Sequence, residues 1–212
     1  MKISTLIFDF DGTLIDTLKP AEKIIQILAK EFHREELLKK YSVDYLRGKT
    51  LRELKRLFRI RLYQMPALVR RSRQLFMGEI NQVNFFPGTI NILRKLKQDG
   101  YHLGILSSNS KENIDKVLKL NQITHFFDFV YSESTIFSKS RSLRLILKKQ
   151  NLACEEVVYI GDEVRDIEAC KTIGIKMIAV GWGLNTKKVL LKFKPEYLID
   201  KPEEIINVLQ TR

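Results

Sequence analysis

Two apolar runs in this chain end in carboxylates, and a third ends in hydroxyls. LIFDFDGTLIDT (residues 6–17) closes on Asp9 and Asp11, one residue apart, followed by Gly12 and Thr13. EEVVYIG (155–161) closes on Gly161-Asp162-Glu163, with Asp166 four residues beyond Asp162, and YHLGILS (101–107) closes on Ser107-Ser108-Asn109. Lys139 stands in FSKS, read as a loop between a strand and a helix. Singly, each has an ordinary explanation: Asp-Gly makes turns, Ser-Ser-Asn and Asp162 cap helices, and a lone lysine is solvated. Jointly they ask for more, because carboxylates brought together repel unless a cation screens them. Hard oxygen donors with open positions suit Mg²⁺, which takes one or two carboxylates and leaves room for a substrate phosphate.

Such groups meet only if the strands run parallel, because ligands of open parallel sheets bind beyond the carboxyl ends of the strands. The chain supplies that arrangement. ISTLIFDF (3–10) reads as a buried strand, and after FFPGT (85–89) helices and strands alternate to the end, with YLID (197–200) as a last short strand before the helix PEEIINVLQ. Alternation of this kind implies crossover connections and a parallel sheet covered on both faces. Between Pro20 and Ile80 the pattern changes to apolar residues at three- and four-residue steps, as in AEKIIQILAKEF and LRELKRLFRIRL, with room for about four amphipathic helices and no strand. The expected organisation is therefore an α/β core of residues 1–15 and 85–212, with an all-helical block, 16–84, inserted after the first strand.

Composition narrows the partners. The net charge is +12, and residues 15–86 carry 16 Lys/Arg against eight Asp/Glu, so most of the excess sits in the helical block. Such a field favours anionic partners, phosphorylated metabolites or nucleic acid. No aromatic–basic interleaving of a nucleic-acid module occurs, so nucleic acid is not expected. RRSR (70–73) reads as a solvated face, and RGKT (47–50) is no Walker motif, since the required first glycine is Val43. No run approaches the roughly 18 apolar residues of a membrane span. With two cysteines and no secretory signal, the expected location is the reducing cytoplasm.

DFDGTLIDT resembles the first motif of the haloacid dehalogenase superfamily, D-x-D-G-T-h-h-D. LGILSSNS is similar to its second motif, Lys139 in SKS to its third, and YIGDEVRDIEAC to its fourth, in the G-D-x-x-x-D form. The tail from GWGLNTKK to DKPEEI resembles the phosphoglycolate phosphatase-like branch. The resemblance covers the core end to end and implies a Rossmann-like sheet with a helical cap of the C1 type. It implies Asp9 as nucleophile forming an aspartyl-phosphate, and Asp11 as general acid and then base. Mg²⁺ would be held by Asp9, the backbone carbonyl of Asp11 and Asp162. Lys139 would balance charge, supported by Asp166 and Glu163. Gly12, Thr13, Ser107, Ser108 and Asn109 would bind the phosphate, and Arg47 and Lys49 of the cap would meet the substrate's anionic end. The activity implied is Mg²⁺-dependent hydrolysis of a small phosphomonoester, with 2-phosphoglycolate as best guess. A β-phosphoglucomutase-like mutase is the alternative, and a non-catalytic nucleic-acid binder a third reading.

Overall fold

The computed structural model describes residues 3–133 and 139–210. Among them six parallel strands form one sheet in the order β5-β4-β1-β6-β7-β8: β1 (Thr5–Phe8), β4 (His102–Ser107), β5 (Phe129–Ser132), β6 (Val157–Gly161), β7 (Lys176–Val180) and β8 (Tyr197–Ile199). The chain runs from β1 to one side of the sheet and later returns to the other, so the strand order reverses between β1 and β6. Asp9 and Asp162 follow these two strands, which places them at the crevice where open α/β sheets take ligands.

Both faces of the sheet are covered, which is why its strands read as continuous apolar runs rather than alternating ones. Leu6, Phe8, Val158 and Ile160 face one layer, with Leu93 of α6 (Thr89–Gln98), Ile114 of α7 (Lys111–Leu120) and Ile205 of α11 (Glu204–Gln210). Ile7, Val157, Tyr159 and Met177 face the other. That layer holds Leu143 of α8 (Lys139–Gln150), Ile167 of α9 (Val164–Ile173) and Leu190 of α10 (Lys187–Lys192).

The inserted block holds five α-helices among the described residues, one more than its periodicity implies: α1 (Leu18–Glu31), α2 (Glu35–Leu38), α3 (Val43–Arg47), α4 (Leu51–Leu57) and α5 (Met65–Glu79). α2 and α3 are only four and five residues long, too short to show a helical period. Their boundaries are chemical instead: Ser42 accepts from the Tyr45 amide, and Thr50 and Glu53 form a reciprocal capping box at the start of α4. The chain enters and leaves the block through an unanticipated antiparallel pair, β2 (Ile15–Asp16) and β3 (Asn84–Phe85), with Ile15 opposite Phe85. Two further expectations are corrected. Lys139 is the first residue of α8 rather than a loop residue, while Phe137 and Ser138 lie outside the described residues. The first strand stops at Phe8 rather than running to Phe10, so the two-residue period of a strand does not govern Asp11.

Candidate active site

Lys139 lies at the centre of the crevice. Only 3% exposed, its Nζ donates to Asp9 Oδ2, Asp166 Oδ1 and the Tyr159 hydroxyl, each at 2.7 Å. An ammonium has three protons, and all three have acceptors here. Burial pulls its pKa down, but the Asp166 and Asp9 charges outweigh this and hold it above the usual lysine value. Tyr159 passes the chain on by donating to the Leu106 carbonyl at 3.3 Å.

Asp9 stays pinned to the sheet through its amide, which donates to the Ile160 carbonyl at 2.8 Å. Its Oδ1 accepts from the Phe10 amide at 2.8 Å. Asp162, fully buried, accepts from Thr13 Oγ1 at 2.8 Å and from the Leu184 amide at 2.6 Å. Two glycines make the space around it. A Cβ on Gly12, whose φ is +76°, would stand 2.3 Å from Asp162 Oδ2, and one on Gly183 would stand 2.2 Å from Asp162 Cβ. Asp166 caps α9, accepting from the Glu163 amide at 3.1 Å while it holds Lys139.

Asp9, Asp162 and Asp166 each offer a carboxylate oxygen, all within 4.8 Å of one another. Six carboxylates stand at this end of the sheet (Asp9, Asp11, Glu133, Asp162, Glu163 and Asp166), and the cations paired with them among the described residues are Lys139, buried, and Arg165, partly buried. The surplus shows in the ionisation. Burial pushes Asp162 and Asp166 up, and the neighbouring carboxylates push Asp162 further while Lys139 pulls Asp166 back. Oxygen donors in negative excess fit a hard divalent cation.

Asp11 faces the other way. Its Oδ1 and Oδ2 both lie 3.2 Å from Asn109 Nδ2, and Ser107 Oγ donates to Oδ2 at 3.3 Å. Burial, then the nearby Asp9 charge, pushes its carboxyl up to about 7. A carboxyl at that value exchanges a proton near neutrality. Asn109 is itself held by Asn113 Nδ2 at 2.8 Å, and its amide donates to Ser107 Oγ at 3.0 Å.

The structure thus gathers Asp9, Asp11, Ser107, Asn109, Lys139, Asp162 and Asp166 at one end of the sheet. Thr13 is turned onto Asp162 and is 2% exposed, so its hydroxyl supports a carboxylate rather than facing a ligand. Glu163 accepts from Arg165 at 2.6 Å, and Ser108 Oγ lies 3.4 Å from the same guanidinium. Arg47 does not reach into the crevice. Its Nη2 and Nε donate to the Gly183 and Leu184 carbonyls at 2.8 and 3.1 Å, and Lys49 Nζ sits 4.6 Å from the Tyr45 ring centre. Arg73 is not solvated as its sequence context implies, since it donates to the carbonyls of Ser108 and Glu133.

Sequence reasoning missed Arg165, Glu133 and Tyr159. Arg165 lies between Asp162 and Asp166 on the first turn of α9, and its guanidinium stands 3.9 Å from Asp9 Oδ2 and 4.0 Å from Glu133 Oε2. A signal was available for Glu133, which follows β5 directly and so stands at a fourth strand end. None distinguished Tyr159 from its apolar neighbours.

A family model described as haloacid dehalogenase-like hydrolase matches residues 6–180. Phosphoglycolate phosphatase from Synechococcus elongatus is 31% identical over 209 residues, covering 98% of this chain and 97% of the relative. Pyrophosphatase PpaX from Bacillus mycoides is 24% identical over 213 residues, covering 99% and 98%. A solved haloacid dehalogenase-like family hydrolase from Streptococcus pneumoniae superposes with a TM-score of 0.77 at 26% identity, covering 97% of this chain and 98% of that one. Among the described residues no helix is long and apolar enough to cross a membrane.

Proposed function

We propose that this chain, which belongs to the haloacid dehalogenase-like hydrolases, hydrolyses phosphomonoesters through a covalent intermediate on Asp9. The observation that carries the reading is the division of labour between two aspartates two residues apart: Asp9 is held by Lys139 and Asp11 by Ser107 and Asn109. Residues 1–15 and 85–212 would form the catalytic core and residues 16–84 the cap, with the β2–β3 pair as the double passage between them.

Asp9 and Asp162, with the Asp11 backbone carbonyl, would hold Mg²⁺, and Asp166 stands close enough to join or support them. The bound ion supplies charge neutralisation, which lets a phosphate dianion approach a carboxylate. Lys139 adds to that neutralisation and keeps one Asp9 oxygen in place. The Asp9 carboxylate attacks phosphorus, forming the acyl-phosphate bond as the ester P–O bond breaks. Asp11 gives its proton to the departing alkoxide. It then takes one from a water that attacks the same phosphorus, so the Asp9–phosphorus bond breaks and inorganic phosphate leaves. Ser107 and Asn109 orient Asp11 and lie where phosphate oxygens arrive, just before the first turn of α7.

The relatives' names put forward 2-phosphoglycolate and pyrophosphate as first substrates to assay. The test is inorganic phosphate release from a panel of phosphate esters with Mg²⁺, in wild type and Asp9→Asn. The reading expects release that Asp9→Asn abolishes. Release unchanged in Asp9→Asn, or none from any ester, overturns it, and isomerisation of a sugar phosphate without release moves the chain to the mutases.

A further inference from the structure

The cap carries a partly open cavity of about 640 Å³ that the proposed chemistry does not use. Its size falls within the roughly 300–1,000 Å³ of pockets that enclose drug-sized molecules. α2, α3 and α4 bury none of their residues. Their apolar side chains, among them Leu38, Val43, Leu46 and Leu54, line the cavity instead of closing a core, together with Ile25 of α1 and Phe58 at the end of α4. Ile25 and Val43 remain 39% and 43% exposed. α5 packs inward through Met65, Val69 and Phe76 and α1 through Ile24, while Ala21, Ile25 and Leu28 of α1 also line the cavity. Three helices therefore hold apolar surface away from one another, an arrangement that costs stability unless something fills it.

The cavity reaches the core beside the catalytic crevice. Its core-side wall is Glu163, Leu184 and Asn185. Leu184 donates its amide to Asp162, Asn185 Oδ1 accepts from the Val164 amide at the start of α9, and Glu163 holds the Arg165 that stands beside Asp9. One wall thus belongs to both spaces. Polarity changes along the path, from the charged groups at the sheet end to a mostly apolar surface within the cap, where Glu22, Arg34, Glu35, Lys39, Arg47 and Lys49 also contribute to the lining. A molecule matching that gradient has a phosphate at one end and an apolar body at the other. A concave chamber lined from several helices suits such a small molecule better than the flat face of a second protein.

We propose that the cap cavity receives the organic portion of the substrate, and that this portion is an apolar aliphatic or aromatic group larger than a two-carbon acid. This rests on the phosphomonoesterase reading and narrows it: 2-phosphoglycolate, charged at both ends, would leave the cavity largely empty and gain nothing from its walls.

The test is kcat/KM for ethyl, butyl, hexyl and octyl phosphate with Mg²⁺, with 2-phosphoglycolate alongside. Each buried methylene should raise kcat/KM by up to about fourfold until the cavity is full. Val43→Trp and Leu54→Trp, which fill the space, should lower the octyl-to-ethyl ratio by roughly tenfold or more. A second readout needs no chemistry: n-hexanol should raise the thermal midpoint of wild type and leave the two variants unmoved. Short esters turned over with no chain-length dependence overturn the cavity proposal and leave the phosphatase reading standing. Failure to hydrolyse any ester removes the phosphatase reading, and the hexanol response then decides whether the cavity takes apolar groups. Hexanol that fails to stabilise wild type overturns the inference whatever the kinetics show.

Discussion

Lys139 Nζ and Asp9 Oδ2 stand 2.7 Å apart with neither side chain more than 3% exposed. Removing one partner of a buried ion pair leaves the other charged and unsolvated, typically a loss of about 3–5 kcal/mol. Here Asp166 would be left as well. Lys139→Met is expected to lower stability by roughly that amount, read from urea unfolding, and to abolish phosphate release. A Lys139→Met protein as stable and active as wild type would show that the ammonium does not organise this site.

The surplus of carboxylates over cations predicts a response to metal in the absence of substrate. Mg²⁺ should raise the thermal midpoint of wild type, by the linkage that rewards any ligand of the native state. Asp162→Asn should remove most of that rise, and EDTA should abolish activity reversibly. An equal Mg²⁺ response in the variant would place the ion elsewhere.

Arg47 distinguishes two roles cleanly. As an anchor on the Gly183 and Leu184 carbonyls, its loss should destabilise the protein by about 1–3 kcal/mol and raise hydrogen exchange at the Leu184 amide. Arg47→Lys should not restore it, because an ammonium cannot reproduce the planar two-nitrogen contact. A raised KM with an unchanged thermal midpoint would instead make Arg47 a substrate contact.

Asp128 predicts part of the acid limb of the stability curve. Although burial opposes ionisation, Lys97 and the Leu103 amide hold its carboxyl below the usual range. Its stabilising contribution is present above the unfolded-state pKa and is lost as pH falls through the lower folded value. Urea midpoints measured from neutrality into the acid range should fall less steeply for Asp128→Asn. Parallel curves for the two proteins would contradict this.

The two cysteines should separate by reactivity. Cys170 is 1% exposed, and burial with the nearby Asp166 charge pushes its thiol far above the usual value, whereas Cys154 is only partly buried. The thiolate is the reacting species. Titration with a thiol reagent should therefore modify one cysteine in the native protein and two after unfolding.

The sheet was legible because a strand buried on both faces leaves an uninterrupted apolar run, as in residues 157–161, and a helix against it leaves a three-to-four spacing, as in α6 and α7. The short helices of the cap were not, since four or five residues carry no period. The β2–β3 pair left no signal either, because two residues a side cannot show alternation. Arg73 illustrates the remaining gap. In RRSR it is indistinguishable from Arg70 and Arg71, yet it alone of the three reaches the carbonyls of Ser108 and Glu133.

The amino-acid sequence by itself determined which groups gather. Parallel strands end along one edge of the sheet, so naming the residues that end or follow β1, β4 and β6 was enough to collect Asp9, Asp11, Ser107 and Asp162. Tertiary structure alone decided what each faces. Beyond Phe8 no strand period directs a side chain, so only packing turned Asp11 onto Ser107 and Asn109 and Thr13 onto Asp162. Arg47 meets Gly183 and Leu184 across more than 130 residues of chain. The hollow within the cap arises the same way, because whether apolar faces close on one another or stand apart depends on how the helices are held.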